Sequence, residues 1–195
     1  MFETLLQFDE WLFYWINNDW QNPVLDFVLP YWRDKKFWFP FYLLLLVFII
    51  YRFKTKGIYL LLGLILCVGL ADIVSSKVLK PSVKRVRPCN DPSMQDEVRL
   101  VVGCGKAYSF TSSHAANHFA IAGFLVFTLG WKFKSWKWWL FFWAGSIALG
   151  QVYVGVHFPL DVLGGTLIGL LLSYFLARLY KRFDWAIKPQ QYDVA

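Results

Sequence analysis

The 195-residue sequence contains no internal repeat and no low-complexity linker, which excludes a solenoid and a string of tethered domains. It has no His-Glu-x-x-His or comparable ligand motif, so nothing local marks a metal centre, and no metal or other cofactor is expected. The N-terminus lacks a basic start and a small-residue cleavage site; no cleavable signal peptide is expected, and the first apolar runs would themselves direct insertion. Cysteine is scarce, at three residues: Cys67 falls within an apolar run, while Cys89 and Cys104 bracket a polar loop. Outside the cytoplasm these two could form a bridge, but spacing alone leaves a bridge and two free thiols equally open.

What the chain has in excess is apolar surface. At 57% hydrophobic and 21% aromatic residues, its mean hydropathy of +0.42 is too high for a soluble core and places it in the membrane. The net charge of +7 does not argue for nucleic acid. Its basic residues sit beside apolar runs rather than on one face, as topology control and contact with anionic lipid headgroups require.

The pattern predicts an all-α, polytopic membrane helical bundle of about five transmembrane helices in a single domain, 1–195. Residues 1–32 read as an N-terminal interfacial helix, too charged to cross at Glu3, Asp9 and Glu10, followed by a short re-entrant or buried helix from Val24 to Trp32. Spans are expected at 37–51, 57–74, 113–130, 138–156 and 159–177, so that 37–79 holds the first two and 112–182 the rest. Arg52, Lys54 and Lys56, then Lys132, Lys134 and Lys137, then Arg178, Lys181 and Arg182 all fall on one side, which the positive-inside rule makes cytoplasmic. The loop 80–111 then faces outward, and 183–195 is a cytoplasmic tail.

Three polar clusters lie on that outward side. Lys80 supplies a compact charge and Arg87 a planar fork, a pair suited to phosphoryl oxygens, although two cations at a membrane edge more often snorkel. Thr111-Ser112-Ser113-His114 opens an apolar run, where capping hydroxyls and free backbone amides make an anion seat and His114 can protonate a leaving oxygen. His118, one turn further, reads as a packing residue. His157 closes the fourth span, and Asp161 follows in the first turn of the fifth, where Pro159 suits the opening position. Asp161 would hold the imidazole Nδ1–H and turn Nε2 towards phosphorus.

With these residues the chain resembles the type-2 phosphatidic acid phosphatase superfamily, whose fold is shared with vanadium haloperoxidases and bacterial acid phosphatases. The family pattern is Lys, six residues, Arg-Pro; then Pro-Ser-Gly-His; then Ser-Arg, five residues, His, three residues, Asp. Lys80, Arg87 and Pro88 match the first part, Ser112 and His114 the second, and His157 and Asp161 the third. The resemblance implies that His157 forms a phosphohistidine, oriented by Asp161, that His114 is the acid, and that Lys80, Arg87, Ser112, Ser113 and Gln151 bind phosphate without a metal. Two departures stand out. Thr111 and Ser113 replace Pro and Gly, and Gly150-Gln151 replaces Ser-Arg, which removes one phosphate cation, so that either Lys84 or Arg85 supplies it or the enzyme is slower.

The expected function is therefore hydrolysis of a lipid phosphate or diphosphate at the extracytoplasmic face of a bacterial inner membrane. Undecaprenyl diphosphate or another polyprenyl diphosphate, lipid A, phosphatidylglycerophosphate and phosphatidate all fit. The alternative is a lipid-phosphate binder or transporter that lost turnover with its third cation. Oligomeric state is not legible.

Overall fold

The computed structural model describes residues 2–187 apart from Gln95, Lys134, Trp136 and Trp185. Lys134 of the basic loop, Trp185, and the tail from 188 onward thus lie outside the described residues. Every regular element among the described residues is a helix.

Helix α1 (Phe2–Tyr14) runs into one π-helical turn, Trp15–Asp19. Its apolar stripe of Leu5, Phe8, Trp11 and Trp15 points outward, and successive rings stack, as on a helix lying along a lipid surface. Two polar residues of this helix and turn do not face water. Asp9 and Asn17 are buried, because each satisfies backbone groups distant in the chain: Asp9 accepts from the Leu160 amide in the first turn of a later helix (2.8 Å), and Asn17 Nδ2 donates to the Arg99 and Tyr153 carbonyls (2.9 and 2.7 Å).

Asn22 caps α2 (Pro23–Trp32) by accepting from the Leu25 amide at 3.0 Å, and Pro23 occupies its opening position. Of the two expected alternatives, re-entrant or buried, burial is corrected here. No residue of α2 is buried, and Val24, Phe27 and Tyr31 are exposed. Ten residues can turn only one face inward, and here that face lies along α6 (Lys137–Tyr153), where Trp32 Nε1 donates to Ser146 Oγ at 2.9 Å.

Helix α3 (Phe39–Ile73) is two arms folded back at Lys54, whose φ of 50° and ψ of −129° break the helix. The arms approach so closely that a side chain at Gly57 would collide with the Ile49 carbonyl. A π-helical turn, Val74–Leu79, leads into the short α4 (Lys80–Val83) and a loop closed by a disulfide between Cys89 and Cys104, with Cα atoms 6.0 Å apart. That loop ends at α5 (Ser113–Phe133), which packs along α7 (Pro159–Tyr180) through small residues. Any Cβ at Gly165 would strike the Ser112 carbonyl, and one at Gly169 the Ala116 carbonyl, so the backbones touch. The close packing of these glycines is thus within one chain.

The core lies between α3, α5 and α7, centred on Leu60, Leu64, Ala120 and Phe124. Outward-facing residues such as Leu44, Leu62, Ile65, Leu167, Leu171 and Phe175 are as apolar as the core, an arrangement stable in lipid rather than water. Two helical stretches, Phe39–Val83 and Pro159–Tyr180, are long and apolar enough to cross a membrane. Helix α6 has only 17 residues, and α5 opens on Ser113, His114, Asn117 and His118, so neither carries the same signal. The packing of α5 on α7 brings α4, the N-terminus of α5 and the α6–α7 junction to one end of the bundle, where the Ser112 amide bonds the Asp161 carbonyl (2.9 Å).

Candidate active site

The centre of that end is His157, set between α6 and α7 and 2% exposed. Gly155, with φ of +85°, lets the chain leave α6 in a left-handed conformation that no side chain would favour. The His157 Nδ1 lies 3.2 Å from Ser109 Oγ and 3.5 Å from Asp161 Oδ2. Ser109 Oγ has one proton and donates it to Asp161 Oδ2. It can only accept from His157, so the imidazole proton sits on Nδ1 and Nε2 keeps its lone pair. Burial lowers the His157 pKa to about 4 against the pull of Asp161, with Arg87 and Lys80 pushing the same way as burial, so the ring is neutral at physiological pH.

Asp161 is fully buried and well supplied with donors. Besides Ser109 it accepts from the Phe158 amide (2.8 Å) and from Arg85 Nη1 (3.1 Å). Arg85 in turn donates through Nη2 to Asp9 Oδ2 (2.6 Å) and lies 3.9 Å over the Phe158 ring. Helix α1 is thereby tied to the site through a carboxylate, guanidinium and carboxylate chain. Burial raises the Asp9 pKa, and Arg85 and the Leu160 amide offset only part of this.

Lys80 and Arg87 both fasten the loop carrying Ser109. Lys80, 6% exposed, donates from Nζ to the Tyr108 and Ser109 carbonyls (2.7 and 3.2 Å). Arg87 donates to the Ala107 and Val156 carbonyls (2.7 and 3.2 Å). Each keeps N–H groups with no partner among the described residues, directed by side chains whose other hydrogen bonds fix them.

At the start of α5, Ser112 Oγ accepts from the Ala115 amide (3.4 Å), while the amides of Ser113 and His114 have no partner among the described residues. The Ser113 hydroxyl is turned away, bonded to Ser75 and Ser76 of the π-helical turn at 2.9 Å each. His114 is half-buried and within electrostatic reach of Arg33, His157 and Arg87. His118 donates from Nδ1 to the His114 carbonyl (2.8 Å) and accepts from the Tyr42 hydroxyl at Nε2 (3.0 Å). Both of its nitrogens are occupied, so it packs beneath His114. No group of three metal-ligating side chains occurs among the described residues.

Gln151 is fully buried, and its Oε1 accepts from Nε and Nη2 of Arg33 (3.1 and 2.9 Å), the residue that ends α2. Arg85, one of the two cations considered as a replacement for the family arginine, is engaged by carboxylates, and the other, Lys84, is exposed. The sequence thus pointed to Lys80, Arg87, Ser112, Ser113, His114, Gln151, His157 and Asp161 at this end; of these, the side chains of Ser113 and Gln151 are engaged by Ser75, Ser76 and Arg33. It did not point to Ser109, Asp9 or Arg33. An acidic residue inside an apolar helix was the one available signal for Asp9; the other two had none.

Residues 56–185 match the model of the PAP2 superfamily. The lipid A 4'-phosphatase of Porphyromonas gingivalis is 31% identical over 187 residues, spanning 94% of this chain and 78% of that protein. The crystal structure of Aquifex aeolicus LpxE aligns with a TM-score of 0.64 at 31% identity, over 86% of this chain and 93% of that one. The PAP2-type phosphatidylglycerolphosphate phosphatase from Bacillus subtilis aligns with a TM-score of 0.64 at 26% identity, over 92% of this chain and 87% of that one.

Proposed function

The chain belongs to the PAP2 superfamily and is a metal-independent lipid phosphatase of the membrane, and on that premise we propose that it removes a phosphate from lipid A at the extracytoplasmic surface. One observation carries the catalytic part. The Ser109 hydroxyl donates its hydrogen bond to Asp161, so His157 carries its own proton on Nδ1 and offers Nε2 as a nucleophile. The Nε2–P bond forms as the P–O bond to the lipid breaks, and His114 protonates the departing oxygen. Asp161 balances the positive charge of the phosphohistidine. Water then attacks phosphorus, His114 takes its proton, and the N–P bond breaks to release phosphate. Lys80, Arg87 and the open amides of Ser113 and His114 hold the phosphoryl oxygens throughout.

Both arms of α3 cross the bilayer together with α5, α6 and α7, with the basic residues around Lys54, Lys137 and Arg178 on the cytoplasmic side. The Cys89–Cys104 disulfide supports this orientation, since it belongs to an oxidising compartment. Lipid A is favoured because the relative from P. gingivalis that carries this activity matches over nearly the whole chain. An apolar groove of about 480 Å³, lined by Trp32, Trp38, Phe41, Leu45, Phe48 and Trp143 among others, suits an acyl chain beside the headgroup site.

The test is phosphate release by purified protein in detergent with a chelator, from lipid A, phosphatidylglycerophosphate, undecaprenyl diphosphate and phosphatidate, beside His157→Ala. Release from lipid A by the parent, and none by the variant, is expected. Preference for another lipid overturns the substrate, and an active variant overturns the nucleophile.

A further inference from the structure

The third sequence cluster has glutamine where the family places a phosphate-binding arginine, six residues before the histidine. Gln151 offers phosphate little: its Oε1 is filled by Arg33 and its Nε2 lies 3.4 Å from the Ile147 carbonyl. What the glutamine does is hold a guanidinium. Arg33 arrives from α2, which is seated on α6 by the Trp32–Ser146 hydrogen bond and by contact of the Leu29 and Arg33 side chains with the space above Gly150.

The surroundings of Arg33 are those of a cation awaiting an anion. It is half-buried, yet among the described residues no carboxylate lies within salt-bridge distance, whereas Arg85 has two and Arg99 has one. Its Nη1 has no hydrogen-bond partner among those residues. Burial lowers its pKa, Asp34 opposes this, and Arg87 lowers it further, so two cations face the same region; an arginine nevertheless stays charged. His114, one of the residues at the phosphate seat, lies within reach of that charge. Gathering half-buried cations that have no carboxylate partner is costly unless an anion completes the site.

We propose that Arg33 is the third phosphate-binding cation of this site, transposed from position 151 to the end of α2 and aimed by Gln151. The proposal rests on the lipid phosphatase reading and deepens it. The guanidinium binds a phosphoryl oxygen on the His114 side through Nη1, while Nε and Nη2 stay on the Gln151 oxygen. Helix α2, which has no buried residue of its own, is then part of the active site.

The experiment is a swap in the full-length protein, read by phosphate release from whichever lipid the parent cleaves and by inhibition with orthovanadate. Arg33→Gln should lower kcat/KM by about 10²–10³-fold, the cost of removing one transition-state donor, and weaken vanadate inhibition alongside. Arg33→Gln combined with Gln151→Arg rebuilds the pair in reverse and should recover most of both. Gln151→Arg alone crowds two guanidinium groups and should lose activity. Parent-like activity in Arg33→Gln, failure of the swap to rescue a folded double variant, or a gain from Gln151→Arg alone would each overturn the proposal. If Arg33→Gln does not fold, Arg33→Lys serves instead: it keeps the charge but not the fork, and unaltered vanadate inhibition would overturn it. A parent that releases no phosphate, or a His157→Ala variant that does, indicts the phosphatase reading rather than Arg33.

Discussion

Replacing Asp9 by asparagine should slow catalysis more than it loosens the fold. Asp9 is 1% exposed, accepts from Arg85 Nη2 at 2.6 Å and from the Leu160 amide at 2.8 Å, and so grips both the guanidinium that holds Asp161 and the first turn of α7. Asparagine keeps an oxygen for the Leu160 amide but presents an NH2 to Arg85, which cannot accept. Because burial raises the folded pKa of Asp9 above 3.8, whatever stability the group adds is fully present below the unfolded value and is lost as pH rises through the folded one. At neutral pH the ionised carboxylate therefore carries a burial penalty that asparagine removes along with the ion pair. The net cost to stability should stay near the about 1–3 kcal/mol of one buried hydrogen-bonding partner. Arg85 keeps Asp161 at 3.1 Å and the Phe158 ring at 3.9 Å but loses its anchor on α1. If the lost charged hydrogen bond, about 1.5–3 kcal/mol, is felt in the transition state through the orientation of His157, kcat falls by about 10–100-fold with KM little changed. The assay is steady-state phosphate release beside a thermal melt, extended to a cycle with Arg85→Met. Parent kcat in Asp9→Asn, or additive effects in the cycle, would refute the idea that α1 orients the catalytic pair.

Ser109→Ala removes the hydroxyl between Asp161 and His157 and leaves the imidazole 3.5 Å from its carboxylate. A loss in kcat of about 10–100-fold is expected, measured by phosphate release, whereas a hydroxyl of purely structural importance would alter the melting temperature alone. The Cys89–Cys104 bridge closes a loop with a sequence separation of 15, worth about 3 kcal/mol by chain entropy, so Cys89→Ser with Cys104→Ser should lower the melting temperature by about 6–12 °C. Denatured, unreduced protein should show Cys67 as its free thiol; three thiols would refute the bridge.

The helical order of the chain was legible because apolar runs and their polar interruptions are local. The reversal at Lys54 coincides with the basic group that the positive-inside rule singles out, and Pro159 opens α7 as its position in the pattern implied. The nature of α2 was not legible. Its composition suits burial, yet a ten-residue helix whose Asp26 bonds Arg99 (2.6 Å) and Tyr153 (2.7 Å) is held at the surface.

The same distinction runs through the site. His157 and Asp161 stand four residues apart on either side of the Phe158 cap that opens α7, and Lys80 and Arg87 flank one short segment; such local relations can be read from spacing. Arg85 meets Asp9 and Asp161 across 76 residues each, Ser109 meets His157 across 48, and Arg33 meets Gln151 across 118. Those meetings depend on the close contact of α5 with α7 and the seating of α1 and α2 against the bundle. Periodicity states which face of a helix is apolar but not which neighbour it meets. The sequence by itself thus determined the residue types of a phosphate chemistry and their order along the chain, while only the tertiary structure decided which serine bridges the histidine and which arginine stands at the glutamine.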